Sequence, residues 1–126
     1  MPSSDPVQRF QDILDNIDLV RGYLSGTNRE AFATGGMAYD AVSYCFVRLT
    51  EAAVKLGDLA EVMAPDIPWG QIRGLGNQLC HAYDGINPDI LWDAAEGDFA
   101  ALEIACRAAI QTLERPSRDQ GGEMER

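Results

Sequence analysis

The stretch Pro68-Trp69-Gly70-Gln71-Ile72-Arg73-Gly74-Leu75-Gly76-Asn77-Gln78-Leu79-Cys80-His81-Ala82-Tyr83-Asp84 sets the reading of the whole chain. Ile72, Leu75, Leu79 and Ala82 or Tyr83 recur at three- and four-residue steps, the period of an amphipathic helix. Pro68 suits the first helical position, where its missing N–H forfeits no bond. At about 100° per residue, Arg73, Asn77, His81 and Asp84 fall close together on a second stripe. One predicted helix thus carries an apolar face and, beside it, a cation, an amide, the chain's single imidazole and a carboxylate. That stripe is the candidate site.

Upstream, Asp5-Pro6 opens a first helix, with Phe10, Ile13, Leu14, Ile17, Val20 and Leu24 as its apolar stripe and Gly26 as its stop. Asp12, Asp15, Asp18 and Arg21 lie largely away from that stripe, on a solvated face. Thr27-Asn28-Arg29-Glu30 reads as a capping box with Thr27 as cap, opening a short helix through Ala33. Thr34-Gly35-Gly36 then loosens or kinks the helix. From Met37 the pattern resumes through Ala38, Ala41, Val42, Cys45, Leu49, Ala52, Ala53 and Leu56 to Gly57. Glu51 sits within it and reads as a surface ion pair with Arg48, or else as a supporting site residue.

Asp58 to Met63 is a short helical turn, and Ala64-Pro65-Asp66-Ile67-Pro68 a rigid connection. Downstream, Asn87-Pro88 caps a helix bearing Ile90, Leu91 and Trp92 that weakens at Gly97. Asp98 restarts it with Phe99, Leu102, Cys106, Ala109, Ile110 and Leu113 as the stripe. Nothing alternates with period two, so the fold is all-α, an up-and-down bundle of four to five helices. Residues 1–115 form the domain, and the polar, aperiodic residues 116–126 read as a disordered tail.

The 126 residues, 46% apolar, make one domain able to bury a core. No apolar run spans a bilayer and the N-terminus has no signal-peptide pattern, so a soluble cytoplasmic protein is expected. Three cysteines, far apart and without Cys-x-x-Cys spacing, argue against a disulfide framework or a zinc site. Cys45 and Cys106 read as buried thiols. The net charge of −10, with a single lysine, excludes a broad basic face. Any nucleic acid must be held locally by a few arginines, or in a cleft shared between subunits.

Gly74-x-Gly76 is no dinucleotide fingerprint, since no strand precedes it. Two glycines in a helix point instead to close approach of another helix, within the chain or from a second copy. No second histidine and no metal-ligand set are present. An imidazole can act as general base near neutral pH, and an arginine fork two turns earlier suits a phosphate. His81 and Arg73 therefore fit attack by a ribose 2′-hydroxyl on its neighbouring phosphate, without metal or other cofactor. A symmetric dimer would supply two imidazoles, one from each helix. The competing reading is a histidine satisfied by Asp84 or by a backbone carbonyl.

Ile67-Pro68-Trp69 followed by Ile72-x-Gly74-Leu75-Gly76-Asn77-x-Leu79-x-His81-x-Tyr83 resembles the HepT-like family of the HEPN superfamily. Phe10-x-x-Ile13-Leu14, Asp40-Ala41-Val42, Thr50-Glu51-Ala52 and Ile90-x-Trp92 extend the similarity over roughly residues 7 to 113. The resemblance implies a dimeric helical bundle that cleaves RNA without metal at its interface. It implies a toxin paired with a nucleotidyltransferase antitoxin, which silences it by attaching AMP to the tyrosine matching Tyr83. His81 and Asn77 match the motif histidine and amide. The motif arginine, five residues before the histidine, is Gly76 here, and Arg73 stands one turn earlier. Some relatives carry arginine where this chain has Cys80, and an acidic residue where it has Gly35. Cys80, Asp84 and Glu51 remain candidates for support. The alternative function is a non-catalytic helical dimer that binds a nucleotidyltransferase partner or a nucleotide.

Overall fold

The computed structural model describes residues 5–82 and 85–115. Six α-helices and no strand occur among them: α1 (Pro6–Ser25), α2 (Arg29–Ala33), α3 (Met37–Leu56), α4 (Asp58–Met63), α5 (Trp69–His81) and α6 (Pro88–Glu114). The all-α bundle expected from the periodicity is what forms, built on four long helices with α2 and α4 as short connectors. The expected tail, residues 116–126, lies outside the described residues, as do Tyr83 and Asp84.

α1 begins as its sequence dictates: the Asp5 carboxylate accepts the Gln8 N–H at 3.1 Å and Pro6 fills the first turn. Its stripe Phe10, Ile13, Leu14, Ile17 and Val20 is buried against α3 and α6. Each such large apolar side chain contributes about 1.5–3 kcal/mol by leaving water. Next to that stripe Asn16 is also buried, donating to the Asp12 carbonyl at 2.8 Å and accepting from Arg48 Nε at 3.1 Å. A buried amide satisfied on both sides is tolerated, and its partner on α3 is not legible from local sequence.

Five local expectations change, the last at the start of α5. Asn28, not Thr27, caps α2, because its amide oxygen accepts the Ala31 N–H at 2.8 Å while the Thr27 hydroxyl turns to the Asn28 carbonyl at 3.5 Å. Gly35 and Gly36 do not kink a continuing helix; at φ +89° and +91° they stand between α2 and α3 in a region that other residues rarely enter. Gly97 does not weaken α6, which runs unbroken for 27 residues. The buried stripe on both sides of Gly97, Leu91 and Trp92 before it and Phe99 and Leu102 after, outweighs the roughly 1 kcal/mol a helical glycine costs. Arg48 does not pair with Glu51. It reaches Asn16 and lies 4.6 Å from the Tyr44 ring, and Glu51 meets Lys55 at 3.6 Å.

α5 starts at Trp69, one residue later than expected, with Pro68 as its cap residue. Trp69 is buried and its indole N–H donates to the Ala64 carbonyl at 2.9 Å, so one side chain anchors both the core and the connection into α5. At the far end, the Tyr39 hydroxyl donates to the Ile86 carbonyl at 2.6 Å and accepts the Ile86 N–H at 2.8 Å. Those two hydrogen bonds to one residue fix the chain beyond α5 to the start of α3.

Candidate active site

α5 packs on α3, and its last turns face that helix across a groove of about 370 Å3. Val47, Thr50, Glu51 and Val54 recur at three- and four-residue steps on α3 and form one wall. Arg73, Gly76, Asn77, Cys80 and His81 do the same on α5 and form the other. The groove therefore gathers five residues singled out in the sequence: His81, Asn77, Arg73, Cys80 and Glu51. Thr50, which belongs to the resemblance alone, and Val47 and Val54 were not foreseen as groove residues, since nothing local to α3 says which of its faces meets α5.

His81 is the last residue of α5 and is exposed, with no hydrogen bond to any described residue. Asn77, one turn earlier, is exposed and equally uncommitted among the described residues. Both are open to a ligand.

Arg73 is placed differently. Its Nε donates to the Ala53 carbonyl at 3.2 Å, Nη2 to the Gly57 carbonyl at 2.9 Å and to Glu61 Oε1 at 3.1 Å, and Nη1 to Glu61 Oε2 at 2.6 Å. Four of the five guanidinium N–H bonds are spent. Arg73 thus fastens α5 to the end of α3 and to α4, and the Glu61 carboxyl is held below its ordinary range by this hydrogen-bonded guanidinium. Replacing Arg73 with Met is expected to lower unfolding free energy by about 1–2 kcal/mol through the two carbonyl bonds, leaving the exposed pair with Glu61 out of the count. Urea titration measures it; an unchanged midpoint would refute the fastening role.

Gly76 is the buried floor of the groove. A β-carbon there would lie 2.5 Å from Thr50 Cβ and collide with the Thr50 hydroxyl, which itself donates to the Phe46 and Val47 carbonyls at 2.8 and 3.1 Å. The close approach expected of the two glycines is real at Gly76 and is made within the chain. Gly74 has nothing within 4 Å of where its β-carbon would be.

Cys80 is exposed, whereas Cys45 and Cys106 are buried. Burial pushes the Cys106 thiol up from 9.0 to about 12. A thiolate-selective disulfide reagent at mildly alkaline pH should therefore titrate Cys80 alone in the native chain and all three thiols after denaturation. Rapid reaction of a second thiol would contradict the packing.

Beyond the groove, α3, α5 and α6 enclose a larger, mainly apolar depression of about 710 Å3, with Phe46, Leu49, Ile72, Leu75 and Ile90 in its lining. No group of three or more histidine, cysteine or acidic residues able to hold a metal ion occurs among the described residues. None of the described helices is long and apolar enough to cross a membrane.

The chain belongs to the HepT-like ribonuclease family, whose model matches residues 13–109. A Methanocaldococcus jannaschii protein named "Putative RNase" is 25% identical over 114 residues, covering 90% of this chain and 98% of its own length. A second from that organism with the same kind of name is 24% identical over 114 residues, covering 90% of this chain and 94% of its own. A Thermococcus cleftensis protein named "Probable ribonuclease HepT" is 25% identical over 94 residues, 75% of this chain and 86% of that protein. No solved structure matches the chain at a significant level.

Proposed function

We propose that this chain is an endoribonuclease that cuts RNA by internal transfer at a 2′-hydroxyl, needs no metal, and acts as a homodimer. The observation that carries the reading is the exposed His81, bonded to none of the described residues, at the mouth of a groove shared with Asn77, in a chain of the HepT-like ribonuclease family. His81 takes the proton from a 2′-hydroxyl whose oxygen attacks the adjacent phosphorus. The Asn77 amide donates to a phosphate oxygen as charge develops there. The P–O5′ bond breaks, leaving a 2′,3′-cyclic phosphate, and the departing oxygen takes a proton from the second imidazole that a two-fold dimer brings. Arg73 serves this chemistry as a fixed wall of the groove.

The same reading makes the protein the toxin of a toxin–antitoxin pair, with a nucleotidyltransferase partner that attaches AMP to Tyr83. Purified protein in excess chelator should convert single-stranded RNA into fragments ending in 2′,3′-cyclic phosphate, read by mass spectrometry. Fragments ending in 3′-hydroxyl, or activity only on adding a divalent ion, would reject the mechanism. Light scattering at micromolar concentration should give the mass of a dimer; a monomer would rule out the shared imidazoles.

One observation favours the second reading, a non-catalytic dimer that binds the nucleotidyltransferase. Gly76 stands where the resemblance calls for arginine, and the nearby Arg73 guanidinium is tied to Glu61 and two carbonyls. RNA left intact by the purified chain, together with stable co-purification of a nucleotidyltransferase, would select it.

A further inference from the structure

On the other side of Glu51 from the His81 groove, α1 and α3 enclose a polar cleft of about 250 Å3, lined by Arg9, Asp12, Asn16, Arg48, Glu51, Ala52 and Lys55. Three cations and two carboxylates meet there, a local excess of positive charge in a chain of net charge −10. Arg9 is paired with Asp12 at 3.2 Å, Arg21 and Arg107 with Glu103, Arg29 with Asp89 and Asp93, and Arg73 with Glu61. Arg48 differs. No carboxylate of the described residues lies within ion-pair distance of it.

Its guanidinium is nevertheless held in place. Nε donates to the buried Asn16, Nη2 contacts Cys45 Sγ at 3.5 Å, and the group lies over the exposed Tyr44 ring. Nη1 has no partner among the described residues. In the same cleft Arg9 Nε is buried without an acceptor. An arginine fixed by neutral groups, with donors unspent and a ring beside it, suits a phosphate better than it suits the fold alone. The cleft also adjoins the groove: Glu51 lines both, and Tyr44, Arg48 and Lys55 fall at about 20–60° from it around the α3 axis.

We propose that the Arg48 cleft is a second phosphate site, which binds the RNA backbone next to the nucleotide held in the His81 groove, with Tyr44 as a stacking surface for a base. This rests on RNA being the ligand of the groove. It explains how an acidic chain could hold a polyanion: through one prearranged arginine flanked by Lys55 and Arg9, with no broad basic face.

Fluorescence anisotropy with a 5′-fluorescein-labelled, fully 2′-O-methylated single-stranded RNA reads binding without cleavage. Arg48→Ala should weaken binding about tenfold and lower the salt dependence by about 0.7 in slope, one phosphate contact on a single strand. Because Arg48→Ala also strips Asn16 of a donor, the exposed variants Lys55→Ala and Tyr44→Ala provide arms that spare the fold, each expected to weaken binding about threefold to tenfold. Arg107→Ala, on the exposed face of α6, should leave binding unchanged. Wild-type affinity in Lys55→Ala and Tyr44→Ala with an unaltered salt slope in Arg48→Ala would overturn the proposal, as would equal weakening by Arg107→Ala. Arg48-dependent binding with unmethylated RNA left uncut would uphold this site while rejecting the cleavage reading. Cutting of RNA by a chain whose binding ignores all three variants would do the reverse.

Discussion

His81→Ala is expected to abolish RNA cleavage. Positioned acid–base catalysis contributes about 100- to 10,000-fold, and in a symmetric dimer one substitution removes the imidazole from both copies. The rate in a chelator-containing assay should therefore fall at least about a hundredfold. His81 is exposed at the end of α5 and bonds to none of the described residues, so the variant should unfold at the same urea concentration as the parent. That separation makes the result interpretable: loss of rate without loss of stability is chemistry. A variant retaining more than a tenth of the parental rate would remove His81 from the mechanism. Parent and variant both inert would favour the partner-binding reading.

The second large effect concerns Gly76. Putting arginine there, as the resemblance suggests, should not simply restore a motif. The new β-carbon would meet the Thr50 β-carbon at 2.5 Å, and this is backbone-fixed, not the yielding end of a long side chain. Overpacking of this kind costs typically about 1–3 kcal/mol, and here it would press α5 away from α3 along the site itself. Gly76→Arg alone is expected to lose at least that much in urea unfolding, and Gly76→Ala, which carries the same β-carbon, to lose up to about 2 kcal/mol even after the roughly 1 kcal/mol gain a helical alanine normally brings.

Thr50→Gly removes the obstructing atoms. The Phe46 and Val47 carbonyls lose an extra donor but keep their place in α3, so the change itself costs roughly a few tenths of a kcal/mol in helix propensity, and the packing of the buried Thr50 side chain besides. The double variant Thr50→Gly/Gly76→Arg should accordingly be more stable than the sum of its parts, with a coupling of about 1–3 kcal/mol. Additive single and double variants would disprove the steric link. If the double variant cuts RNA faster than the parent, Thr50 and Gly76 together account for a weakened enzyme.

Much of the frame was legible because it is written locally. Asp5-Pro6 and Asn87-Pro88 do mark the starts of α1 and α6, and the three- to four-residue stripes of α1, α3 and α6 are the buried ones. Errors arose where two local signals competed. Thr27 and Asn28 are both good caps, and only the backbone path decides between them. A glycine breaks helix pattern at Gly35 and Gly36, where φ is positive, but not at Gly97, where packing on both sides carries the helix through.

The site was legible as a stripe on α5, since spacing alone puts residues 73, 77 and 81 together. The commitment of Arg73 was not, because its partners lie on α3 and α4, far off in sequence. Nor was Thr50, whose importance comes from lying opposite a glycine on another helix. Arg48 misled for a related reason. An acidic residue three positions along is a strong local lure, but the buried amide of Asn16 offered a partner from α1.

Lys55 is the only lysine in the chain, and it stands exposed in the lining of the Arg48 cleft. An amine-reactive fluorophore would therefore attach to Lys55 and the chain's own amino terminus and nowhere else. With the terminus blocked beforehand, one dye per molecule would sit beside the surface in question. Its emission would then report the arrival of a nucleic acid or a second polypeptide in real time, with no engineered cysteine.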